Sequence, residues 1–519
     1  MAHLKRASVI LLTSAKLIFM GNGKNNRFRR QSFVRTVVFL LFVLDACTPV
    51  SDRIALTDNI DRTPASTALP QPTALPTRPA YSPGTLVDYT AQMGDTLPAL
   101  AARFNTTEKE IRAANAILPE HVTTLPSGLP MKIPIYFEPF WGCSFQVLPD
   151  SLFVNGPAQI GFDVIRYVDE QPGWLKYASQ YVGGEQRKGG EIIDYIATTY
   201  SISPRLLLAL IEYQAGGLTT ADIQSEVSTY PLGYIDGYHQ GLARQLIWVA
   251  NELNNGYYSW RTGKLDHFEL QDGRLERVDP WQNAATAALQ LYFSQVATPE
   301  KYALAISGDG LLKTYSDLFG DPWSNVEALI PGSLEQPYFR FPFQVGQTWA
   351  YTGGPHTGWG EGEPLAAVDF APGNVASGCI PTDEPATAVA GGVIVRTGDA
   401  LAVLDLDGDG DERTGWTIFY LHLANASLPP VGRKLKAGDP IGLPSCEGGN
   451  ATGTHVHIAR RYNGEWIPAG GALAFNLEGW LVQSGSVEYQ GKMIRNGKVV
   501  TACTCSDANS HITSNPPTP

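Results

Sequence analysis

Gly453-Thr454-His455-Val456-His457-Ile458-Ala459 is the stretch on which the reading of this chain turns. Val456 and Ile458 are apolar and β-branched, so the stretch reads as a strand, where side chains alternate faces with a period of two. His455 and His457 then project from one face into a shared space. Two imidazoles so placed are a start for a zinc site. Taken alone, the pattern suits a polar strand face at a sheet edge equally well. What joins the pair decides between these readings.

The chain has 519 residues, too many for one ordinary core, and roughly two to four domains are expected. Its composition, 44% hydrophobic and 17% charged, is that of a globular protein. The formal charge is -12; the first 47 residues carry eight Lys/Arg against one Asp, which leaves -19 for the rest. An acidic body offers no basic stripe to replace phosphate counterions, which argues against nucleic acid as a partner.

Residues 1–47 read as a targeting segment. Arg27, Arg29, Arg30 and Arg35 precede the apolar run from Val37 to Leu44, which is too short to span a bilayer but suits a signal-peptide core. Leu44-Asp45-Ala46-Cys47 resembles a bacterial lipobox, with Asp45 a departure from its usual pattern. The resemblance implies a lipid anchor at Cys47 and a protein held at the extracellular face of the cell membrane. A simple secretory signal and an uncleaved anchor are the alternatives, and each exports the protein. Met20 is a natural start for a signal of this size. Export permits disulfides. Besides Cys47 there are Cys143, Cys379, Cys446, Cys503 and Cys505, with no Cys-x-x-Cys pair. Their pairing is open, a Cys379–Cys446 bridge being one candidate.

Residues 48–86 are rich in Pro, Thr, Ala and Ser and read as a disordered stalk. Residues 87–137 run strand, helix, helix, strand. Tyr89-x-x-x-x-Gly94-Asp95-Thr96-Leu97, then Ile111-x-x-x-Asn115, then Leu129-Pro130-x-Lys132-Ile133-Pro134 resembles a LysM domain of βααβ layout. That resemblance implies docking on the N-acetylglucosamine chains of peptidoglycan. Residues 145–330 read as largely helical, with Ser203 and Pro204 an N-cap and first-turn pair. The helix that follows resembles the first active-site helix of lysozyme-like lytic transglycosylases. In that family a Glu stands where this chain has Gln214, and an amide cannot recycle a proton near neutral pH. Glu212 lies on another face of the helix. The expectation is an inactive lysozyme-like domain, with an active glycosidase as the alternative. Residues 335–490 turn to Gly-rich strands and read as an antiparallel β domain. Residues 491–519 read as a disordered polar tail. The fold class expected is multidomain α+β.

Within the β domain, His356 stands in Gly353-Gly354-Pro355-His356, Asp369 in Val368-Asp369-Phe370, and His422 in Tyr420-Leu421-His422-Leu423. With the opening pair, these residues resemble zinc peptidoglycan endopeptidases of the lysostaphin/LytM type, metallopeptidase family 23. The His356–Asp369 spacing and the Cys446-Glu447-Gly448-Gly449 run match its staphylolysin and β-lytic branch. Carried over residue by residue, the resemblance makes His356, Asp369 and His457 ligands of Zn2+. It makes His422 and His455 the catalytic proton handlers, with Tyr489 a candidate oxyanion helper. Three ligands leave a fourth position open, the arrangement of a catalytic zinc. The substrate implied is a peptidoglycan stem or cross-link peptide. The rival expectation is a non-enzymatic wall-binding protein that activates other hydrolases.

Asp405-Leu406-Asp407-Gly408-Asp409-Gly410-Asp411 starts like an EF-hand calcium loop, but position 12 is Trp416 and no helices flank it. An acidic hairpin turn is the alternative.

Overall fold

The computed structural model describes residues 78–516 apart from Phe137, Phe140 and Ala376; the expected signal segment and most of the 48–86 stalk lie outside them. Strand Thr85–Thr90 pairs antiparallel with Pro130–Ile135, and helices Leu97–Arg103 and Glu108–Ala114 lie between them in sequence. Thr96 caps the first helix, and Thr107 with Glu110 forms a capping box on the second. Residues 78–86 are not a free stalk: the Arg78 guanidinium bonds Asp279 at 2.6 Å and covers the Trp281 ring. Cation and π-face together hold that end of the stalk down.

The next segment is helical, as its apolar spacing implies, with two short hairpins set among its helices. Ser203 caps helix Pro204–Ala215 by accepting from the Leu206 amide at 3.2 Å. Helix Leu242–Thr262 packs beside Ala284–Val296.

The β segment is built on a nine-stranded antiparallel sheet whose middle runs Leu401–Asp405, Trp416–Leu421, Val456–Tyr462, Ala367–Ala371, Thr348–His356. Alternation explains how it packs. Ala402, Leu404, Ile418, Tyr420, Val456 and Ile458 face a core shared with Phe341, Phe370, Val482 and Met493. Leu401, Val403, Phe419, Leu421 and Ala459 join the core of the helical segment. Both faces are covered, so Trp416–Leu421 is buried at every position.

Among the described residues, the stretches read as separate domains accordingly pack as one compact unit. Arg261 links them. Its guanidinium donates to the Met93 carbonyl of the βααβ unit, to Tyr257 Oη at 2.7 Å and to Glu465 Oε2 of the β segment at 3.3 Å, with the Asp150 carboxylate also 3.3 Å away. Burial pushes the Asp150 and Glu465 carboxyls up, and the Arg261 charge opposes it. Removing the cation strands both acids. Arg261→Met is expected to cost roughly 3–5 kcal/mol, read as a lower thermal midpoint for the whole unit.

The tail expectation is corrected. Gly491–Arg495 and Lys498–Thr501 form a hairpin beside Trp480–Ser484, and His511–Thr513 adds to the large sheet along Thr348–His356. The hairpin turns at Asn496-Gly497, both with positive φ (50° and 76°), the two-residue turn that suits twisted strands.

Candidate metal centre

Register builds the site. On Val456–Tyr462, His457 stands opposite Asp369 on one neighbouring strand and Leu421 on the other, so His422 follows directly beside it. Thr348–His356 slips twice against Ala367–Ala371, between Tyr351 and Gly353 and between Gly353 and His356. Such bulges re-aim side chains, and here the strand ends with His356 on Asp369. Gly353 makes room for that carboxylate: a Cβ there would sit 2.4 Å from Asp369 Oδ2.

The structure brings His356, Asp369 and His457 together, all buried. His356 Nε2 lies 3.0 Å from His457 Nδ1 and 3.2 Å from Asp369 Oδ1, and His457 Nδ1 lies 3.4 Å from Asp369 Oδ1. The far nitrogens settle the protons. His356 Nδ1 faces the Gly354 carbonyl at 2.8 Å and His457 Nε2 faces the Gly358 carbonyl at 3.2 Å. A carbonyl only accepts, so each far nitrogen carries a hydrogen, and in the neutral imidazoles each near one presents a lone pair; against burial, the Asp369 carboxylate pushes the His356 imidazole up. Asp369 Oδ1 is buried without a hydrogen-bond donor. With both imidazoles neutral, three acceptors converge, which is unfavourable unless a cation, a proton or a metal ion, sits among them. Tetrahedral zinc ligands at roughly 2.0–2.1 Å stand about 3.3 Å apart, so the donor set and its spacing fit that ion.

His455 and His422 flank the cluster, their ring centroids 4.5 Å apart. His455 donates from Nδ1 to the Gly453 carbonyl at 2.7 Å, and its Nε2 stands 3.8 Å from Asp369 Oδ2, set back from the three. His422 donates from Nδ1 to the Glu447 carbonyl at 2.9 Å. Burial, with His455 and His457 beside it, pushes the His422 imidazole down to about 4, so it is neutral at physiological pH. Tyr489 stacks on the His356 ring, centroids 4.2 Å apart and planes 18° from parallel.

Cys379 and Cys446 are bridged, resolving one open pairing; Cys503 and Cys505 form a second bridge, and Cys143 is free. The first bridge joins the loops that hold the two histidine arms. Gly378, next to Cys379, accepts from the Thr454 amide, and Glu447, next to Cys446, orients His422. The carbonyls of Gly354, Gly358, Gly453 and Glu447 escape sequence reading because any residue supplies one. The 357–366 loop that carries Gly358 also docks on helix Leu242–Thr262. Asn251 Oδ1 accepts from the Glu361 amide at 3.0 Å and Asn255 Oδ1 from the Glu363 amide at 2.8 Å.

In the helical segment, Gln214 donates to Tyr292 Oη at 3.1 Å. The Glu212 carboxylate is taken by the Leu218 amide at 2.8 Å and the Thr219 hydroxyl at 2.5 Å. Neither side chain is placed as a free general acid.

A family model described as LasA, N-terminal domain, matches residues 146–332, and a LysM domain model matches residues 89–134. Protease LasA of Pseudomonas aeruginosa is 25% identical over 349 residues, 63% of this chain and 76% of that protein. The β-lytic metalloendopeptidase of Achromobacter lyticus is 28% identical over 170 residues, 31% of this chain and 41% of that protein. Among solved structures, the deep-sea metalloprotease pseudoalterin is 24% identical, with a TM-score of 0.28, over 32% of this chain and 96% of that chain. The resemblance to a LysM unit joined to a lysostaphin/LytM-type peptidase is borne out, and with it the expectation of a metalloendopeptidase.

Proposed function

We propose that this chain is a zinc metalloendopeptidase that hydrolyses peptide bonds in peptidoglycan stems or cross-bridges, docked on the wall through its LysM unit. The observation that carries this reading is the convergence of one buried ligand-type atom each from His356, Asp369 and His457 within 3.4 Å of one another. These three would hold Zn2+, each imidazole fixed by a carbonyl behind it, as ligating histidines require. Bound there, the ion supplies Lewis acidity toward the scissile carbonyl and toward water. His422, neutral through burial, keeps Nε2 free because Nδ1 donates to the Glu447 carbonyl, and His455 Nδ1 is held by the Gly453 carbonyl. They are suited to take a proton from the attacking water and to return one to the leaving amine. Tyr489, stacked on His356, steadies that ring and stands beside the site as the candidate oxyanion donor.

For residues 145–330 we retain the non-catalytic reading, supported by Gln214 and by the occupied Glu212 carboxylate. The basic and apolar run before Cys47 supports export with a lipid anchor, at the extracellular face of the membrane. Mass analysis of products from purified peptidoglycan tests the activity. New peptide termini on intact glycan strands, lost on chelation, are expected. Glycan fragments whose release survives chelation would overturn it.

A further inference from the structure

The hairpin between strands Leu401–Asp405 and Trp416–Leu421 lies at the opposite end of the second strand from His422, roughly 20 Å away along six residues. One oxygen each from Asp405, Asp407 and Asp409 lies within 4.8 Å of the others. Asp407 and Asp409 are exposed, but Asp405 is fully buried. Asp405 Oδ2 accepts from the Gly410 amide at 3.0 Å, whereas Oδ1 has no hydrogen-bond partner. A buried carboxylate oxygen without a donor, on a side chain clustered with two further carboxylates, is costly.

The cations nearby are already engaged. Arg396 and Arg461 both bond Glu412, and Arg413 clasps Asp411 at 2.6 and 2.7 Å. The fourth acid of the run is thereby turned to an arginine, which leaves three. Asp407 presses on the return arm of the hairpin, where a Cβ at Gly415 would sit 2.2 Å from Asp407 Oδ2.

We infer that this hairpin binds a calcium ion through Asp405, Asp407 and Asp409, with water and loop carbonyls completing its shell. Hard carboxylate oxygens on an open, Gly-containing loop suit Ca2+, which tolerates irregular shells, better than Mg2+, which demands near-octahedral geometry. Without the bidentate Glu of a complete EF-hand loop, affinity in roughly the 10⁻⁴–10⁻³ M range of extracellular modules is expected. The ion would fix the loop from which Arg413 reaches the Gln159 carbonyl of the helical segment at 3.2 Å.

The test uses the zinc-loaded full chain and Tb3+ as the probe, with Trp416, adjacent to the loop, as sensitiser. One saturable equivalent is expected, displaced by Ca2+ but not by equal Mg2+, and Ca2+ raises the thermal midpoint. Asp407→Asn with Asp409→Asn, both exposed, is expected to weaken binding by at least about ten-fold and to remove the thermal shift. Zinc content and wall hydrolysis stay unchanged in that variant. Unaltered binding in the double variant, absence of saturable binding, or equal displacement by Mg2+ would overturn the inference.

Discussion

His457→Ala is expected to abolish metal retention and to lower peptide-bond hydrolysis by roughly 10³-fold or more, about 4 kcal/mol of barrier. The substitution removes one of three converging acceptors and leaves the Gly358 carbonyl without its donor. Metal content per chain is the decisive readout, because a folding defect alone would lower activity without that signature. His455→Ala is the matched control. It deletes an imidazole of the same strand face whose Nε2 stands back at 3.8 Å, and it should retain the ion. A His457→Ala protein that holds zinc and lyses walls at the parent rate would remove the ligand assignment.

The second large effect is expected at His422. His422→Ala should keep the metal and lower kcat by roughly 10²–10⁴-fold, the usual worth of a positioned acid or base, with KM little changed. The imidazole is neutral through burial and oriented by the Glu447 carbonyl, so its loss removes a proton acceptor and no ligand. Steady-state kinetics on a soluble wall peptide, beside metal analysis, separates the two roles. Full kcat in this variant would assign the proton steps elsewhere.

Much of this was legible in residue order. The period of two around Val456 placed His455 and His457 on one face, and the caps at Thr107 and Ser203 marked their helices. Registry was not legible. The two slips that carry His356 onto Asp369 arise where Gly353 meets a carboxylate, a relation between distant strands that no local pattern records. The joint core was partly readable, since Ile418-Phe419-Tyr420-Leu421 is apolar on both faces, which already asks for cover on both. The order of the tail is signalled by Asn496-Gly497, but the polar composition around that turn resembles that of a disordered end. The Cys379–Cys446 pairing depends on how two loops meet, which residue order does not carry.

The 357–366 loop touches two things at once. Its Gly358 carbonyl steadies His457, and its Glu361 and Glu363 amides rest on Asn251 and Asn255 of the long helix. Free-energy linkage through such a loop runs both ways. Whatever tightens the ion's hold stiffens the seat on the helix, and whatever loosens that seat weakens the hold by the same factor. On the proposed zinc reading, the helical segment would thereby set how tenaciously the β segment keeps its metal when zinc is scarce.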